Sequence, residues 1–198
     1  MSMKKILYLH GFAGSGASGT ATSLRNALYE HGVQVIAPDI PVLPAEAIPF
    51  LCRQVEALQP DLIVATSMGA MYAEQLRGHL RILVNPSFTM ARLLTFGGMG
   101  RKPFRNTRQD GAKDFKVDKE MIAQFKEVEK HSFEGITPAE KDLVYGLFGD
   151  HDKRVNCQPD FIKHYGREHF SLFDGEHYLN DTVLKHAVLP LTKKLLNL

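Results

Sequence analysis

Ser67 ends an apolar run and opens a helical one, in Asp61-Leu62-Ile63-Val64-Ala65-Thr66-Ser67-Met68-Gly69-Ala70-Met71-Tyr72. A serine on so sharp a strand-to-helix turn is driven into strained backbone geometry, with its hydroxyl projecting above the sheet. Its neighbours two positions away must then be small. Ala65 and Gly69 meet that need, with Ala65 replacing the first glycine of a G-x-S-x-G elbow. The amide of Met68 faces the same space and starts the helix, so it can donate to an oxyanion with the positive end of the helix dipole behind it. The plainer alternative is a serine capping a helix.

Three other strand ends carry chemistry-bearing residues. Tyr8-Leu9-His10-Gly11-Phe12 is followed by a glycine-rich turn, Gly14 to Gly19, in which backbone amides can approach a negative centre without obstruction from Cβ. There the amide of Phe12 offers a second oxyanion donor, although a flexible turn entering a helix fits the glycines as well. Leu147-Phe148-Gly149-Asp150-His151-Asp152-Lys153-Arg154-Val155 places acids after another strand, and Phe173-Asp174-Gly175-Glu176-His177-Tyr178 places a histidine after the last. In a parallel sheet all strand C-termini open onto one edge, so these side chains can converge. The chain order Ser67, Asp152, His177 is that of an α/β-hydrolase triad.

The positioning elements follow from patterning. Ile6–Leu9, Val33–Ala37, Leu62–Ala65, Ile82–Val84, Leu143–Phe148 and His169–Phe173 read as six short strands flanked by Gly, Pro, Asn or Asp. Helices are expected near 18–31, 44–58, 68–79, 118–131, 157–166 and 178–196. In the last of these, Leu184, Val188, Leu191 and Leu195 form an apolar stripe, and Pro190 predicts a kink or a restart. Strands with little internal alternation, each followed by a helix, predict a doubly wound, mainly parallel α/β sheet covered on both faces. Between Asn85-Pro86 and Leu143 no clear strand is visible, so residues 88–140 read as a part-helical, cap-like insertion within a single 1–198 domain.

Composition narrows the function classes. The 198 residues suit one domain with an insertion, and a hydrophobic content of 44% with 23% charged is that of an ordinary globular protein. A net charge of +2 is too weak to argue for nucleic acid. Two cysteines, Cys52 and Cys157, make neither a disulfide framework nor a four-ligand zinc site, which points to a reduced, cytoplasmic setting. The four apolar residues Ile6–Leu9 are too few for a signal-peptide core, and no run is long enough to span a bilayer.

Taken together, Leu7-Tyr8-Leu9-His10-Gly11-Phe12, Thr66-Ser67-Met68-Gly69, Val84-Asn85-Pro86, the acid loop and the late His177 resemble the bacterial YqiA-like esterases, a group of small α/β-hydrolases. The resemblance implies the α/β-hydrolase fold with strand order 2-1-3-4-5-6. It also implies Ser67 as nucleophile, His177 as base, Asp152 rather than Asp150 as the orienting acid, and the amides of Phe12 and Met68 as the oxyanion hole. His10 and Gly11 would border the substrate, His10 as a hydrogen-bonding support of the loop. The implied activity is hydrolysis of a small-molecule carboxylic ester or thioester, with no metal and no organic cofactor and with neither nucleic acid nor membrane as partner. Oligomeric state is open.

Other features have plainer readings. His31, His131, His164 and His186 are expected on the surface, His79 at a helix end, and His169 buried at a strand start. Asp150-His151-Asp152 lacks the spacing of a two-histidine metal motif. Arg101, Lys102, Arg105, Arg108, Lys113 and Lys116 read as a solvated basic loop that could also favour an anionic substrate. A rival function is dinucleotide or phosphate binding. Gly14-Ser15-Gly16-Ala17-Ser18-Gly19 is a literal G-x-G-x-x-G with Asp39 twenty residues beyond, but its glycines start several residues after the strand end. A hydrolase-fold protein that binds without turnover is the third possibility.

Overall fold

The computed structural model describes residues 3–198. Its centre is a parallel sheet of six strands: β1 (Lys4–Leu9), β2 (Val33–Ile36), β3 (Leu62–Thr66), β4 (Arg81–Val84), β7 (Val144–Gly149) and β8 (Phe170–Phe173). The spatial order is β2-β1-β3-β4-β7-β8, which is the expected 2-1-3-4-5-6 once the insertion is set aside. Every neighbouring pair runs parallel, Leu9 beside Ala65 and Thr66 beside Val84, so the strands finish along a common edge.

Alternation along β1 divides the core. Leu7 and Leu9 face one layer, Ile6 and Tyr8 the other, and all four are buried. On the first face lie α2 (Pro44–Leu58), α3 (Met68–Gln75) and α7 (Gln158–Tyr165). In α2, Ala47, Leu51 and Val55 recur every four residues and present one apolar stripe to the sheet. On the second face lie α1 (Gly19–Tyr29) and the C-terminal helices. The Ser18 side chain caps α1 by accepting from the Ala21 amide at 3.3 Å, and Ala21, Leu24 and Leu28 bury its inner face.

The segment between β4 and β7 is more ordered than its sequence suggests. It holds α4 (Met90–Gly97), α5 (Lys119–Lys130), the short α6 (Pro138–Lys141) and an antiparallel hairpin of β5 (Gly100–Pro103) with β6 (Asp114–Val117). The expectation of no strand here is therefore corrected. The hairpin is visible only as pairing, because its strands are four residues each and β5 buries no residue. A long loop, 104–113, joins its strands and is tied to the body. The Arg105 amide donates to the Ala13 carbonyl at 2.8 Å, and the Gln109 amide donates to Asp39 at 2.6 Å.

Two further expectations shift. His169 sits in a single 3₁₀ turn, Arg167–His169, and β8 begins one residue later. The last helix starts as α8 (Asp181–Val183), passes through a π turn, Leu184–Val188, and resumes as α9 (Leu189–Leu196). Pro190 explains the break: it has no amide to return to the preceding turn and its ring crowds that turn, and a wider π turn absorbs both effects. No helix among the described residues is long and apolar enough to cross a membrane.

Candidate active site

The turn from β3 into α3 carries Ser67 at φ 53° and ψ −117°, a conformation that L residues other than glycine adopt at a cost. Close packing dictates the residue two positions on. A Cβ at Gly69 would stand 2.5 Å from the Leu9 carbonyl oxygen, so only glycine lets α3 approach the end of β1. On the other side Ala65 is wholly buried beside Leu9 and Leu83, where a small side chain suffices. Ser67 makes no side-chain cap hydrogen bond to α3, so the capping alternative does not describe it.

Instead its hydroxyl lies 2.9 Å from Nε2 of His177. On the far side of the ring, Nδ1 lies 2.7 Å from Oδ2 of Asp152. A carboxylate only accepts, so Nδ1 carries the proton and Nε2 is left to accept from the serine. The His177 and Asp152 side chains are 7% and 3% exposed, which keeps water from competing for this pair. The second oxygen, Oδ1 of Asp152, accepts from the amides of Arg154 and Val155 at 2.8 and 3.1 Å. The carboxylate is thus fixed by its own loop and aimed at one nitrogen. Residues 67, 152 and 177, far apart in the chain, converge as the sequence predicts.

Asp150 turns elsewhere. It accepts from the Gly175 amide at 3.1 Å and lies with Asp174 near His151, all three on the exposed surface.

Phe12 lines the space beside the serine, and Met68 follows Ser67 as the first residue of α3. Gly11 is pressed against the elbow: a Cβ there would meet the Ser67 Cβ at 3.3 Å. His10 is buried, its Nε2 accepting from the Ile40 amide at 3.0 Å and its Nδ1 facing the Gly11 carbonyl at 2.9 Å. Both nitrogens are spoken for by the neutral ring, and burial holds its pKa below the ordinary histidine value. His10 therefore ties the turn at Gly11 to the β2–α2 loop.

Asn85 is the residue that the sequence reading used only as a landmark. It ends β4 in a left-handed conformation, φ 44°, and is 2% exposed. Its amide nitrogen donates to the carbonyls of Glu176 and His177, both at 3.0 Å, while its side-chain oxygen accepts from the Gly149 amide at 2.7 Å. One side chain thereby clasps the end of β7, from which the acid loop springs, to the turn that bears His177. An asparagine before a proline, which tolerates left-handed backbone, is the only local signal of this role.

The features of the rival nucleotide motif have other occupations. Asp39 accepts from the Gly16 amide at 2.7 Å and from Gln109 at 2.6 Å. Gly16 sits so close to β2 that a Cβ would be 1.9 Å from the Ala37 carbonyl oxygen. Loop packing therefore accounts for both.

A pocket of about 380 Å³ opens above Ser67 and His177. Met90, Leu93 and Leu94 of α4 and Val155 supply apolar wall, Tyr8 and Thr66 supply hydroxyls below, and Arg105, Arg154 and Tyr178 stand at the mouth. Cys157 is buried and lies apart from this wall, its thiol pKa pushed up to about 11, chiefly by burial.

Solved structures share the architecture. Est1E from Butyrivibrio proteoclasticus superposes with a TM-score of 0.65 at 15% identity, covering 100% of this chain and 90% of its own. A putative hydrolase of the α/β superfamily from Xanthomonas campestris gives 0.63 at 16% identity with 100% of both chains covered. Mouse α/β hydrolase domain-containing protein 10 gives 0.63 at 15% identity, over 98% of this chain and 91% of that one. The model of an uncharacterised protein family, UPF0227, matches residues 5–180. With its six-stranded sheet and this match over most of its length, the chain belongs to UPF0227, the YqiA-like family, and has the fold of a small α/β-hydrolase.

Proposed function

We propose that this protein is a cytoplasmic serine hydrolase that cleaves carboxylic esters or thioesters through an acyl-enzyme. The observation that carries the reading is the unbroken line from Ser67 Oγ to His177 at 2.9 Å and from His177 to Asp152 at 2.7 Å, at the floor of an open pocket. His177 Nε2 takes the hydroxyl proton as Oγ attacks the carbonyl carbon, and the carbonyl π pair moves onto oxygen. The amides of Phe12 and Met68 receive that oxyanion. Asp152 holds the tautomer and stabilises the imidazolium, and the departing alcohol or thiol takes the proton from His177. Water then repeats the sequence, with His177 as base, to release the acid and restore Ser67. The strained φ at Ser67 supports the reading, since it holds Oγ forward of the sheet rather than in a cap.

The test is a panel of p-nitrophenyl esters from acetyl to long-chain acyl, run with wild type and Ser67→Ala, with and without a covalent serine inhibitor. Turnover that is sensitive to the inhibitor and absent from the variant is expected. Equal rates in the two proteins would remove Ser67 as the nucleophile, and a folded wild type inert to every ester would leave a binding protein.

A further inference from the structure

The six basic residues between positions 101 and 116 differ sharply in what they do. Arg101 pairs with Asp114, Lys116 with Asp118, and Arg108 with Asp110 while also donating to the Ile40 carbonyl. Lys102 donates to the Gly97 carbonyl. Arg105 alone of the six lines the pocket, and it is joined there by Arg154 from the acid loop. Neither guanidinium forms an ion pair among the described residues.

Both lie against one ring. The Arg105 guanidinium carbon is 4.5 Å and that of Arg154 4.9 Å from the centroid of Tyr178, and Arg105 also donates to the Tyr178 hydroxyl at 2.6 Å. Cation–π contact of this kind steadies a guanidinium without neutralising it. Backbone anchors fix the two stems: the Arg105 amide on Ala13, the Arg154 amide on Asp152 itself. Tyr178 follows His177 directly, with ring centroids 5.3 Å apart. Two unneutralised guanidiniums are therefore held at the entrance to the serine, while α4 keeps the pocket wall beyond them apolar.

We infer that Arg105 and Arg154 form an anion subsite that selects esters bearing a carboxylate or a phosphate, with the charged group at the mouth and the uncharged part against Met90, Leu93 and Leu94. The planar fork of arginine matches both oxyanions and can bind either through two parallel charge-assisted hydrogen bonds. The inference rests on the hydrolase reading only for its reaction, because the subsite can be measured by binding alone.

Butyryl esters of phenol, of 4-hydroxybenzoate and of 4-hydroxyphenyl phosphate test it, since they share an acyl group and separate a carboxylate from a phosphate. Differences in leaving-group chemistry cancel when the ratio of kcat/KM, charged over neutral ester, is compared between wild type and variants. In Arg105→Met/Arg154→Met this ratio is expected to fall about tenfold or more for at least one charged ester. Arg105→Lys should keep part of the preference, and Arg101→Met, outside the pocket, should keep all of it. A ratio unchanged in a double variant that melts like wild type overturns the subsite. Calorimetric titration of Ser67→Ala with the same three esters keeps the two readings apart. Tighter binding of a charged ester, lost on removing the arginines, upholds the subsite even if wild type hydrolyses nothing. Ser67-dependent turnover with no charge preference in rate or binding rejects the subsite and leaves the hydrolase reading standing.

Discussion

Where the central strands begin, Arg81 is wholly buried with every guanidinium nitrogen engaged: Nε on the His79 carbonyl, Nη1 on those of Ala73 and Glu74, and Nη2 on Glu140. Glu140 also accepts from the Gly78 amide, and Glu74 gathers Arg77, the Tyr165 hydroxyl and the Phe133 amide. Where the strands finish, Ser67, His177 and Asp152 form a chain of similar length that opens onto a pocket and begins at a strained residue. Both clusters bury ionisable side chains. The closed one pins α6 and the start of β7 to β4, while the open one leaves the serine hydroxyl facing a space that a ligand can fill. Completeness of hydrogen bonding, rather than burial or charge, separates the closed cluster from the open one.

Four variants sharpen or break this comparison. Ser67→Ala should lower kcat by about 10⁴-fold or more while leaving the melting temperature at or above that of wild type, as read by ester turnover and circular dichroism. Glu140→Ala should do the converse. It strands the Arg81 charge in the interior and should cost about 3–5 kcal/mol in urea unfolding, with kcat of the folded fraction preserved. If Glu140→Ala proves harmless to stability, the closed cluster is not the clamp described here.

Asn85→Asp keeps the acceptor for Gly149 and removes both donors to the His177 turn. A fall in kcat of about tenfold to a hundredfold with KM little changed is the expected result, because misplacing a base by a fraction of an ångström is enough. The smallest effect concerns His10. Its folded pKa lies below the ordinary value near 6.5, so its stabilisation is complete above that pH. That contribution is lost as pH falls from about 6.5 through the folded pKa. His10→Gln should therefore show a shallower decline in melting temperature between about pH 7 and pH 5 than wild type.

The sequence exposed one of these regions far better than the other. Ser67, Asp152 and His177 each stand just beyond an apolar strand, and strand ends of a parallel sheet share an edge, so local pattern plus topology brought them together. The closed cluster left no such trace. Arg81 at the start of a strand reads as a solvated charge, and its burial depends on Glu140 folding back from nearly sixty residues away. The four inner strands of the main sheet were legible because both faces are covered, which gives each an apolar run, whereas the edge strands β2 and β8 carry exposed residues. The β5–β6 hairpin was not legible, because it packs on one side only and half of its strand residues are charged. Asn85 was legible as a landmark but not as a clasp, since its partners lie at the end of β7 and in the turn beyond β8.

The position of β8 has a consequence for how the molecule fails on heating. It is the outermost strand on its side, four residues long, paired only with β7 and with Ser171 and Leu172 exposed. Border strands of this kind detach at lower free energy than the interior they lean on. The imidazole hangs from the turn just beyond that border, so thermal inactivation should run several degrees ahead of the loss of helical dichroism, and rapid cooling from that interval should restore turnover in full.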